Sequence, residues 1–191
     1  MPRRRSRRRH HAHAARETAT PEDFGPSASP DALLAQLSFD EIEETSGELH
    51  RRIGTALRLI GEERADAVAP GNRSPRWLAA ELAATIELAA QTFAAAASGH
   101  EAPTSRVDRQ SAMVSAVMYA APTLPALLTR LEQDRRLLAS LARTIEDGAD
   151  AADVRQTPWG ERRLREVLVE VAITAAARCA LPLERIVALP D

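Results

Sequence analysis

From position 39 onward, apolar residues step along this chain by threes and fours, which predicts helices over nearly all of it. Phe39, Ile42, Ser46, Leu49, Ile53, Ala56 and Ile60 share one face of a helix running to about Ala67. Ser38 precedes it, and Glu41 stands three residues on, the spacing of a capping box. After the turn Pro70-Gly71-Asn72-Arg73, Ser74 supplies an N-cap and Pro75 the first helical position. This second helix carries Leu78, Leu82, Ile86, Ala89, Phe93 and Ala96 and stops at Gly99; its alanine background suits close approach by a neighbour.

Ser105 and Asp108 have the spacing of another capping box, and the third helix they open meets Pro122 and Pro125, which should kink or divide it. Leu127, Leu128, Leu131, Leu138, Leu141 and Ile145 extend the pattern to Asp147, with Gly148 as the stop. Thr157-Pro158 repeats the cap-plus-proline device ahead of a fourth helix bearing Leu164, Val167, Leu168, Val171, Ala175 and Cys179. Pro182 should break that helix and leave a short terminal one around Glu184 to Leu189.

Short connections between long helices imply antiparallel neighbours. The expected fold is all-α: an up-down four-helix bundle, its third helix kinked or split near Pro122 and Pro125, with a short C-terminal helix. Residues 30–191 form one helical domain, and residues 1–29, rich in charge, Pro and Ser, a disordered tail. The echo between Ser74-Pro75-Arg76-Trp77 and Thr157-Pro158-Trp159 raises the further expectation of two stacked helical hairpins.

Composition sharpens this picture. Three Phe, two Trp and one Tyr leave the core to Leu, Ile, Val and Ala, which favours packed helices over a sheet. All 25 basic residues other than histidine are arginine, and Asn72 is the only asparagine, the mark of a genome rich in G and C. Without lysine the chain holds no Walker-type phosphate loop, Schiff-base lysine or Ser-Lys dyad. One cysteine, Cys179, allows no internal disulfide and points to a reducing compartment. Residues 78–97 are interrupted by Glu81, Glu87 and Gln91, too polar for a membrane span, and Arg16 is followed by a polar stretch rather than an export signal. A cytoplasmic location with no membrane partner is the expectation.

Charge is split along the chain. Residues 1–16 carry +7 from Arg3, Arg4, Arg5, Arg7, Arg8, Arg9 and Arg16, whereas residues 17–191 carry −9. Such a tail can neutralise phosphates of DNA or RNA without reading sequence. It lacks interleaved aromatics for stacking on bases. An inert extension and a start codon placed too early are the competing readings.

The motifs of catalysis are missing. There is no Gly-x-Ser-x-Gly, His-Glu-x-x-His or Cys-x-x-Cys. His10, His11 and His13 form a loose tract of no assigned purpose, and His50, two residues after Glu48, lacks the spacing of a carboxylate-bridged metal site. Cys179 lies in an apolar face and reads as a small core residue. No metal, cofactor or catalytic residue is expected.

Two constellations remain. Gly47, Gly54 and Gly61 recur every seven residues on one line of the first helix, as close packing against another helix or a second subunit would require. If the second and fourth helices start at the same end, Arg73, Arg76, Trp77, Arg155, Trp159, Arg162 and Arg163 meet there, a candidate site for an anion or acidic partner. The leading functional expectation is a non-enzymatic interaction protein that binds itself or another protein through small-residue or apolar helix faces. A nucleic-acid-associated protein anchored by its tail comes next, and a bundle holding a small ligand third.

Overall fold

The computed structural model describes residues 36–68, 73–102, 107–146 and 154–188. The Arg-rich tail, the box at Ser105, the stop at Gly148 and Leu189 lie outside these residues. Along the chain run α1 (Phe39–Arg64), α2 (Pro75–Ala97), α3 (Val107–Ala120) and α4 (Leu124–Glu146), then a hairpin of β1 (Val154–Thr157) and β2 (Gly160–Arg163). The last helical rod comprises α5 (Leu164–Val169), a π-helical segment (Glu170–Ala175) and α6 (Ala176–Ala188).

Two of the predicted N-caps, at Ser38 and Ser74, form. Glu41 N donates to Ser38 Oγ at 3.3 Å, and Ser38 N donates back to Glu41 Oε2 at 2.7 Å. Trp77 N donates to Ser74 Oγ at 3.2 Å, with Pro75 opening α2. The third helix is split: the chain turns by 119° between the stretches 111–120 and 124–145, so α3 and α4 are separate rods. Pro122 sits in the break and Pro125 in the first turn of α4, where a missing N–H costs nothing.

Thr157-Pro158 departs from expectation. It caps no helix: Thr157 Oγ1 accepts from Trp159 N at 3.1 Å and donates to Gly160 O at 2.8 Å. With Gly160 at φ 91°, these residues close the β1–β2 hairpin in antiparallel register, Thr157 opposite Gly160. The resemblance to Ser74-Pro75-Arg76-Trp77 is therefore one of sequence alone, and the stacked-hairpin expectation fails. Pro182 is likewise no boundary. It lies inside α6, between buried Cys179 and Ala180 and buried Leu183, and the π-helical segment sets the C-terminal helix apart instead.

Rods alternate in direction. Arg165 donates to Leu37 O near the start of α1, and Arg52 pairs with Glu184 at 2.7 Å further along, so α1 and the last rod are parallel. Leu124 N donates to Glu62 at 2.9 Å, while Arg143 reaches Glu43 at 2.5 Å, so α4 runs against α1. At the centre lies α2, packed most extensively on α4; its buried Ala79, Ala80, Ala83, Ala84 and Ala89 let the neighbours close in. Phe93, Ile53, Leu57, Ile86, Leu127, Leu164 and Leu183 fill one continuous core.

A polar clamp joins three rods at one end. Arg76, 7% exposed, donates from Nε to Asp66 at 2.8 Å, from Nη2 to Glu62 at 2.6 Å, and from Nη1 to the Pro122 carbonyl. Gly61, at φ 71°, interrupts α1 just before these two carboxylates. Among the described residues the glycine line is not a close helix contact. A Cβ at Gly47 or Gly61 would meet nothing within 4 Å, and one at Gly54 only the Arg58 side chain of the same helix.

Arg76→Ala should lower the free energy of unfolding by about 2 kcal/mol in urea titration, below the buried-pair range because Glu62 and Asp66 reach solvent. Gly47→Ala should raise it, by up to about 1 kcal/mol, because the helix gains propensity without a clash. Gly61→Ala should lower it by about 1 kcal/mol through the cost of positive φ. Destabilisation by Gly47→Ala would mean that a neighbour approaches the glycine line.

Candidate functional site

Splitting the third helix adds one reversal of direction, and this disperses the predicted arginine–tryptophan site. The last rod starts where α2 ends: Leu164 lies with Thr92, Ala96 and Gly99, while Cys179 Sγ reaches Leu78 O at 3.6 Å. Arg155, Arg162 and Arg163 sit on the hairpin near the C-terminal end of α2, and Arg73 and Arg76 at its N-terminal end. Some twenty helical residues, about 30 Å, separate the two groups.

Within the N-terminal group the cations are engaged. Arg76 is held in the clamp, and Arg73 pairs with Glu81 while its guanidinium lies 5.9 Å from the Trp77 ring centre. Arg162 and Arg163 are exposed on β2, with Arg163 N donating to Glu166 at 3.3 Å. Trp77 and Trp159 both pack against the core, and Trp159 borders a cavity whose α2 wall runs from Leu78 to Thr85. Trp159, Glu81, Glu170, Arg178 and Cys179 border a cavity of about 140 Å³, in which both carboxylates are already paired with arginine.

Titratable groups in the body have structural surroundings. His50 Nδ1 donates to Ser46 O at 2.9 Å, and burial, the largest influence, lowers its pKa and keeps the ring neutral. The apolar cleft beside it, between α1, α4 and the last rod, encloses only about 20 Å³, room for a single water. Burial pushes the Cys179 thiol up to about 12, so it is no nucleophile. Among the described residues no group of His, Cys, Asp and Glu is placed to hold a metal ion. No single described helix is long and apolar enough to cross a membrane.

One surface differs from the rest, and it does not follow from apolar periodicity. On α3, Val114 and Val117 face the core, whereas Ser111, Ala112, Ser115, Ala116, Tyr119 and Ala120 face outward. No charged residue occurs from Ser111 to Ala120, and Tyr119 is 90% exposed. Ala112, Ala116 and Ala120 repeat every four residues along this face. The signal in the sequence was the uncharged run from Gln110 to Thr129, whose part on α3 is only half needed by the core. Comparison of the chain with protein-family models, curated proteins and solved structures yields no match.

Native Cys179 should resist iodoacetamide at about pH 8 and react fully once unfolded, as expected of a buried, protonated thiol. Rapid modification of the folded protein would contradict this placement.

Proposed function

We propose that the protein is a non-enzymatic interaction module that associates with a second copy of itself through the outer face of α3. The observation that carries this reading is the charge-free, small-residue face with Tyr119 standing out of it. Alanine and serine at successive turns let a second helix approach closely, and an exposed tyrosine is a common interface anchor. A face without charge offers no handle for a charged partner, but two copies related by a two-fold axis present matching surfaces to each other. The outer face from Ser111 to Ala120 is about 15 Å long, too short to bury on its own the roughly 800 Å² per partner typical of stable complexes. The association is accordingly weak, and concentration-dependent.

Light scattering coupled to size exclusion, run over a concentration series, tests it. Wild type should move toward a dimer as concentration rises, and Ala116→Glu should stay monomeric with unchanged helical content. Identical behaviour of the two proteins would remove the α3 face from consideration.

A second reading draws on the +7 charge of residues 1–16. Phosphate contacts made by such a tail would appear as affinity for DNA and RNA that falls steeply with salt. Fluorescence anisotropy should show that affinity for the whole chain and its loss in a chain starting at Glu17. Absence of binding at low salt would set the nucleic-acid role aside.

A further inference from the structure

We propose that Glu87, Arg130 and Asp134 form a pH-sensitive latch on the seam between α2 and α4, closed while the two carboxyls share a proton and loosened when both are ionised. The seam is the most extensive helix contact among the described residues. Across it, Arg130 Nε donates to Glu87 Oε1 at 2.7 Å. Asp134 stands one turn further along α4, its Oδ2 3.8 Å from Arg130 Nε and buried without a hydrogen-bond donor. The Asp134 side chain is 16% exposed and that of Glu87 23%.

One guanidinium thus serves two half-buried carboxyls, and Glu87 has the better geometry. The charged groups that act on Asp134 are Glu87 from α2 and Arg130 from its own helix. With both carboxyls ionised, the seam would hold an excess negative charge where water is scarce. A proton on Asp134 removes that charge and supplies a donor toward Glu87.

The direction of the pH effect follows from this arrangement. Burial first, and the Glu87 charge second, raise the Asp134 pKa to about 7 from an ordinary 3.8, against the opposing pull of Arg130. Between those values the folded chain holds a proton that the unfolded chain has released. Stability from this group is complete below the lower value and is lost as pH rises through about 7. His50, with its lowered pKa, acts in the opposite sense, since its stabilisation is lost as pH falls below its ordinary value. Comparison with a variant changed only at Asp134 cancels that contribution.

Thermal unfolding of the full chain should be followed from about pH 5.5 to about pH 8.5, at constant ionic strength, for wild type and Asp134→Asn. Relative to the variant, wild type should lose on the order of 3 °C in Tm across this range. Parallel profiles would overturn the proposal. A carbon-13 NMR titration of the Asp134 carboxyl in wild type decides independently of the variant's fold. A midpoint near 7 supports the latch, and a midpoint near the ordinary 3.8 refutes it.

Discussion

Arg76 is the point at which the bundle closes. Its guanidinium joins two carboxylates at the end of α1 to the Pro122 carbonyl in the α3–α4 break, from a position in the first turn of α2. Glu62, held below the usual carboxylate range first by Arg76 and then by the Leu124 amide, passes the interaction on to the start of α4. A buried arginine is costly to desolvate, and it persists because its donors find acceptors from two different elements. The 119° turn between α3 and α4 is thereby fixed in place as well as permitted by proline.

That turn decides what the rest of the molecule presents. Had the third helix been merely kinked, the last rod would have started beside the start of α2, and the arginines of the hairpin would have joined Arg73 and Arg76. Folding the third helix back reverses the last rod and separates the two groups of arginines. It also places α3 on the outside, where Val114 and Val117 reach the core and the opposite side, from Ala112 to Tyr119, is left bare. The docking surface we propose is thus a consequence of the same bend that dissolved the site inferred from topology.

Features set by neighbours in sequence were legible in the residues. The caps at Ser38 and Ser74 need only three or four residues to close, and the apolar faces of α1, α2 and the last rod follow from helical period alone. Thr157-Pro158 misled because the same two residues also open a tight turn; Gly160, able to take positive φ, was the distinguishing residue. The angle at Pro122 could not be read, since proline removes a hydrogen bond without dictating how far the chain turns. Nor could the pairing of Glu87 with Arg130, or of Arg52 with Glu184, which join residues remote in sequence. Gly47, Gly54 and Gly61 show the limit of spacing as an argument: alignment on a helix does not mean that another described helix of the same molecule lies against it.

Two copies docked through α3 would be revealed by the distance between them. Because Cys179 is buried and protonated, a cysteine placed at exposed Ser115 can be spin-labelled selectively. Two α3 helices packed at an axial separation of about 10 Å would bring labels on different copies within about 25 Å, a distance that pulsed dipolar spectroscopy reads. Self-association through α3 should give such a distance, growing in amplitude with protein concentration. A purely monomeric background at every concentration, or a coupling that persists unchanged when Ala116 is replaced by Glu, would contradict it.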